Sequence, residues 1–248
     1  MSEPYNKVIY KLAKDNKSNF ITEENFYILH WLYRIRNKNC SKGIRIGFLQ
    51  PDFLWCIIRP MMRNKKLWRT DDDIYEAVAL WCIERAEAEE KYGHISDWDV
   101  SSVTDMSHLF HSQKLFNDDI SRWDVSNVSD MGGMFSMAHS FNQPIGNWNV
   151  SKVTNMCLMF GCAYIFDHPI GDWNVSNVSD MERMFQGTRE FNQPIGNWNV
   201  SNVYDMEFMF AYTRKFNQSI DSWDMSKVTN IRGIFFEAIQ IELLSNKL

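Results

Sequence analysis

"FNQPIGNWNVS" occupies residues 141–151 and recurs letter for letter at 191–201, with "FDHPIGDWNVS" between them at 166–176. The interval is therefore 25 residues, and the tryptophans keep it: Trp98, Trp123, Trp148, Trp173, Trp198 and Trp223. Other columns follow in step. Val103 recurs as Val128, Val153, Val178, Val203 and Val228. Met106 recurs as Met131, Met156, Met181, Met206 and Ile231. Phe110 leads a third column to Phe235, Phe116 a fourth to Phe216, and Ile95 a fifth to Ile220. A fixed period in this range, free of insertions, marks an array whose members are too small to bury an apolar face alone and so stack on one another.

Within one repeat, Trp98 and Val100 alternate as in a strand, with Val103 close behind. Met106, Leu109 and Phe110 then fall at i, i+3 and i+4, the spacing of a short helix. Thr104 and Asp105 suit a cap before it, "SDME" at 179–182 reads as a capping box, and Pro144–Asn147 turn the chain back. The expected coil is strand, turn, short helix, turn. The expected fold class is α/β: a leucine-rich-repeat-like solenoid of about six such coils, preceded by a small, mainly α-helical domain. The domain boundaries read from the sequence are 1–92 for the helical capping domain and 93–248 for the repeats with a C-terminal cap.

The run "FNQPIGNWNVSNVxDMxxMF" resembles the BspA-type leucine-rich repeat, the repeat of mycoplasma surface lipoproteins of otherwise unknown function, which is also found in protists and large DNA viruses. The resemblance covers roughly 93–240. It implies a binding role and brings no catalytic residues with it.

Composition is that of a globular chain: 248 residues, 45% hydrophobic, 15% aromatic, net charge −5. No apolar run approaches the length of a membrane span. The opening "MSEPYNKVIYKLAKDNKSNF" has neither the apolar core of a secretory signal nor a lipid-attachment cysteine. Five scattered cysteines then read as reduced thiols. The expected location is intracellular, in host cytoplasm or virion if viral, with surface display implied by the resemblance alone.

Charge divides the chain. Residues 34–69 carry ten Lys or Arg against Asp52, whereas residues from 93 onward carry ten basic and eighteen acidic side chains, a net of −8. The basic stretch suggests nucleic-acid binding through Arg59, Arg63, Lys65, Lys66 and Arg69 beside Trp55 and Trp68, or else a solvated basic face or one docked on the acidic helix at 70–90. Two helices are expected before the repeats. One is "TEENFYILHWLYRIR", and the other runs from a cap at Thr70 through Asp71, Asp72 and Asp73 to Gly93. Between them "LQPDFLWCIIRPMM" (49–62) faintly resembles the start of an F-box, which would make the chain an adaptor with the repeats as its substrate-binding part. A buried helix of the capping domain is the better account of it. The second helix is expected to seal one end of the stack, and Phe235, Phe236, Ile239, Ile241, Leu243 and Leu244 the other.

Chemistry is sparse. His108 and His111 lack a third metal ligand, Cys157 and Cys162 lack metal-site spacing, and no phosphate-binding loop occurs. The ladder Asp105, Asp130, Asn155, Asp180, Asp205, Asn230 could collect calcium or satisfy backbone groups at a turn. The serine column from Ser101 to Ser226 reads as hydroxyls bonded to backbone. Sequons at Asn149, Asn174 and Asn199 arise from the repeat itself. Variation is concentrated at 111–115 "HSQKL" and its copies "SMAHS", "GCAYI", "QGTRE" and "AYTRK". It also marks the column that includes Lys152, Asn177, Asn202 and Lys227, and Tyr204, which replaces a Ser or Thr. These suggest a non-enzymatic protein-interaction module, with a protein partner and no cofactor.

Overall fold

The computed structural model describes residues 67–238, and from Arg69 onward they belong to one compact unit. Helix α1 spans Ile74–Ile83 and α2 spans Arg85–Tyr92. They lie in the same compact unit as the repeats, so the division falls at Trp68/Arg69, upstream of residue 92. Thr70 opens the turn that leads into α1, whose N-cap is Asp73. The Thr70 carbonyl accepts the Ile74 N–H at 3.0 Å, and the Asp73 carboxylate takes the Thr70 N–H at 2.8 Å, half of a capping box. Ile74, Ala77, Val78 and Trp81 form the buried stripe. The one helix expected from Thr70 to Gly93 is broken at Glu84 (φ −129, ψ 65), after which Ala88 and Tyr92 turn inward. Gly93, at φ 75, ends α2 in the left-handed region that favours glycine.

The repeats follow. Asp105, Asp130, Asn155, Asp180, Asp205 and Asn230 are joined in sequence by single parallel bridges. In place of a short helix, each repeat carries successive tight turns. Leu109 N–H donates to Met106 O, and Gln113 N–H to Phe110 O, at 3.2 and 3.1 Å. The third residues of these turns, His108 and Ser112, have φ of 56° and 62°, the mark of type II turns. The intervening N–H groups leave the repeat. His108 donates to Gly132 O, Phe110 to Met134 O and Ser112 to Ser136 O, at 2.8–2.9 Å. Turns repeating every four residues bury i, i+3, i+4 and i+7, the same positions a helix buries. That is why the spacing of Met106, Leu109 and Phe110 reads as helical. A residue other than glycine in the left-handed region costs on the order of 1–3 kcal/mol. Bonds to the adjacent repeat hold these residues there.

The opposing term is burial. In the third repeat Phe141, Ile145, Trp148, Val150, Val153, Met156, Met159 and Phe160 are all buried, each worth about 1.5–3 kcal/mol when fully removed from water. Phe110, Phe135, Phe160, Phe185, Phe210 and Phe235 stack at centroid spacings of 5.5–5.7 Å. The tryptophans add a bond between repeats. Trp123, Trp148, Trp173, Trp198 and Trp223 each donate Nε1–H to the isoleucine carbonyl 28 residues earlier, at 2.9–3.3 Å.

The opening motif is now legible bond by bond. Its Phe joins the second buried ring ladder. Its Asn lends Oδ1 to the backbone N–H 25 residues on, as in Asn142 to Asp167 and Asn192 to Asn217, both 3.0 Å. Its Gln bonds the preceding repeat, and in the looser copy His168 Nε2 reaches the Asn142 carbonyl at 2.9 Å, so that nitrogen carries the proton. Its Gly has no room for a side chain: a Cβ on Gly146 would lie 2.3 Å from the Pro169 carbonyl oxygen.

Helix α1 stands in for a repeat ahead of the first. Inside the stack, Ser129 N–H donates to Thr104 O and its hydroxyl leans on the same oxygen. At the first repeat the Asp71 carboxylate accepts instead from Thr104 N–H (2.8 Å), Thr104 Oγ1 (2.7 Å) and Asp105 N–H (3.2 Å). The Ser107 carbonyl, which inside the stack would take an N–H, takes the Tyr75 hydroxyl at 2.9 Å. Trp81 packs edge-on against Trp98 and donates to Asp118, which also pairs with Arg85. Of the residues expected to seal the far end, Phe235 is half-buried and Phe236 exposed, and Ile239, Ile241, Leu243 and Leu244 lie outside the described residues.

Candidate binding face

In the column expected to bind a partner, side chains bond to neighbouring repeats. Lys152 Nζ donates to Asn127 Oδ1 at 2.6 Å and Lys227 Nζ to Asn202 Oδ1 at 2.7 Å. Asn177 and Asn202 donate Nδ2 to the Ser151 and Ser176 carbonyls at 2.7 Å. These side chains are exposed, but they cross between repeats and stitch them. Tyr204 differs. Ser129, Thr154, Ser179 and Thr229 in its column send their hydroxyls to the preceding carbonyl. The pKa of the Tyr204 phenol is raised above its ordinary value by the charge of Asp180, and the residue is 48% exposed, leaving a ring on the surface.

Arg69 is not part of a basic surface. It is 2% exposed, paired with Asp73 at 2.7 Å and lies over the rings of Tyr92 and Trp98 at 4.4 and 5.6 Å. Arg59, Arg63, Lys65 and Lys66, like the F-box-like stretch 49–62, lie outside the described residues. The serine column acts through its backbone: Ser126, Ser151, Ser176, Ser201 and Ser226 N–H groups donate to the Asp or Asn side chain two residues earlier.

The Asp/Asn ladder closes turns in the same way, each Oδ1 accepting the N–H two residues on, from Asp105 to Asn230. Asn155 also bridges to Asp130 at 3.1 Å. Where no Asn intervenes, burial pushes the Asp180 carboxyl up, reinforced by the charge of Asp205. Burial, helped by Asp180 and Glu182, pushes the Cys157 thiol up to about 12, and burial raises Cys162 too. Both thiols are therefore held protonated, poor nucleophiles. His108 and His111 meet edge to face at 5.5 Å, and among the described residues no group of three His, Cys, Asp or Glu side chains is placed to hold a metal.

The side chains that leave the frame lie on the turn side. Its outward columns hold His108, Leu158, Arg183 and Phe208, then Met137, Cys162 and Tyr212, then Lys114, His139, Tyr164, Arg189 and Arg214. Glycine at 187 (φ 70) opens a hollow of about 570 Å³ that Tyr164, Gln186, Arg189, Tyr212, Arg214 and Glu237 also line. Arg189 lies over the Tyr164 ring at 4.1 Å, and Tyr164 stacks on His139 at 4.2 Å. The sequence marks 111–115 and its copies as variable, and so flags Tyr164, Gly187, Arg189, Tyr212 and Arg214. It does not gather them around one hollow, because a helical reading disperses these positions around an axis. Gly133, Gly187 and Gly233 in two columns of varied residues are the signal that could have revealed left-handed turns there.

A family model described as "Mycoplasma protein of unknown function, DUF285" matches residues 83–181 and again 163–246. No curated protein matches, and no solved structure matches. Among the described residues no helix is long and apolar enough to cross a membrane.

Proposed function

We propose, from the premise that the chain belongs to the DUF285 repeat family, that it is a non-enzymatic protein-interaction module. In this reading the repeats form a BspA-type, leucine-rich-repeat-like solenoid, and the turn side is its recognition surface. One observation carries the reading: side chains on that side change from repeat to repeat over a backbone whose hydrogen bonds recur at fixed intervals. Arg183, Phe208, Tyr212 and Arg214 stand on a scaffold already ordered by its own ladders, so docking a partner fixes few additional torsions. The column of Lys152, Asn177, Asn202 and Lys227 offers less, because these side chains are engaged with neighbouring repeats.

The test is capture from nuclease-treated lysate of the source cell on immobilised full-length protein. Phe208→Ala with Tyr212→Ala should release the specific partner, whereas Asn177→Ala with Asn202→Ala should retain it. A partner retained by the first variant and lost by the second would move the surface to the Asn177 column. No saturable partner at all would sink the reading.

A further inference from the structure

The cations of the turn side fall into two groups. Arg183 is paired with Glu182 at 2.8 Å and Arg232 with Glu207 at 3.5 Å, so their charge is locally balanced. Arg189 and Arg214, in one column of adjacent repeats, make no ion pair among the described residues. The nearest candidate in sequence, Glu190, is taken by Lys215. Arg189 lies over Tyr164 and is half-buried, while Arg214 is exposed. A guanidinium lying on a ring keeps its in-plane N–H fork free for an oxyanion, the geometry in which arginine grips carboxylate or phosphate with two bonds. Both arginines line the hollow opened by Gly187. Beside it stand Tyr212 and Phe236, 44% and 47% exposed, edge to face at 5.5 Å.

We propose that this hollow binds a peptide segment through a single oxyanionic side chain, a carboxylate or a phosphorylated hydroxyl, held by Arg189 and Arg214, with an adjoining apolar residue against Tyr212 and Phe236. The surroundings select a solitary anion. Glu237 lines the hollow, and Glu182, Glu207, Asp180 and Asp205 belong to the same repeats as the two arginines. A nucleic-acid backbone would have to pass several phosphates over a surface that also carries carboxylates, whereas one acidic side chain can sit between the two arginines with Glu237 the one carboxylate lining the hollow. The peptide assignment rests on the interaction-module reading and adds the chemistry of its partner.

The probe is a library of blocked seven-residue peptides, randomised except that one central position holds Glu, Asp, phosphoserine or Gln, selected on the full-length chain. The selected pool should favour the anionic residues over Gln by at least about tenfold, the factor that about 1.4 kcal/mol of charge-assisted bonding supplies. Arg189→Gln with Arg214→Gln should erase that preference, and Lys227→Gln, outside the hollow, should preserve it. The single change Arg214→Gln, at an exposed position, should reduce the preference without lowering the melting temperature. A pool without anionic preference, or one that keeps it in the double variant, overturns the proposal. Inorganic phosphate competing as well as the phosphoserine peptides would also overturn it, because the site would then be one for free anions. A cellular partner captured equally by the double variant would remove this site and leave the interaction module standing.

Discussion

On the corner side of each repeat, around residues 95–105 and 117–121, nearly every polar side chain is committed. Asn142 serves the next repeat's backbone, Asn177 the previous one's, Trp173 bonds Ile145 O, and Gly146 sits beneath a carbonyl. On the turn side, around 106–115, the backbone carries the bonds between repeats and the outward side chains are released from that duty. The same stack thus has one side where identity is dictated by neighbours and one where only backbone conformation is. The letter-perfect repeat of 141–151 and 191–201 belongs to the first, though the column of Lys152 and Asn177 and the position of Tyr204 vary there, and the varied stretch 111–115 with its copies belongs to the second.

Substitutions should separate the two sides. The largest loss is expected from Trp173→Ala, about 3–5 kcal/mol, because it removes a buried ring and leaves the Ile145 carbonyl without its donor. Chemical denaturation reads it, and a change under 1 kcal/mol would contradict a corner held by tryptophan. Gly146→Ala should cost about 1–3 kcal/mol through backbone displacement at the Pro169 carbonyl, visible as a lower melting temperature.

Asp71→Ala should cost about 1 kcal/mol by leaving Thr104 and Asp105 N–H without their acceptor. Burial pushes the Asp71 carboxyl up, but the bonds from Thr104 and Asp105 outweigh it and hold it below its ordinary value. A depressed value in the folded state means this contribution is present above the unfolded value, near 4, and is lost as pH falls through the folded one. The gap between wild type and variant should therefore close on acidification.

Asp180→Asn should do the opposite and stabilise, by up to about 1 kcal/mol, since Asn155 and Asn230 already fill the same column. The Asp180 value is raised in the folded state, so its penalty is full above that value and vanishes below the unfolded one. The gain should be present at neutral pH and gone below about pH 4. Tyr212→Ala, on the turn side, should change stability by no more than about 0.5 kcal/mol.

Much of this was readable beforehand, and unevenly. The ring and tryptophan ladders were visible as columns because each demands one residue type in every repeat. Gly93 marked the end of the helical segment, but its start lay at Asp73 rather than Thr70, and the break at Glu84 left no turn residue to announce it. The turn side misled because a four-residue turn and an α-helix bury the same spacing, so Met106, Leu109 and Phe110 could not distinguish them. Arg69 misled for another reason: its partners, Asp73, Tyr92 and Trp98, gather only when the chain folds. The hollow depends on residues from four repeats, and although the varied stretches contain Tyr164, Arg189 and Tyr212, no local pattern says that they enclose one space.

The bonds between repeats fall at constant offsets, while the surrogate contacts of Asp71 and Tyr75 are made once, to the first repeat alone. Copy number is therefore free to change by recombination. Loss or gain of one whole 25-residue repeat in the interior re-forms every junction, whereas insertion of a single residue would break the offsets on either side of it. Such growth lengthens the turn side by one row of unassigned side chains each time. New contact chemistry can arise there without any change to the end that α1 guards.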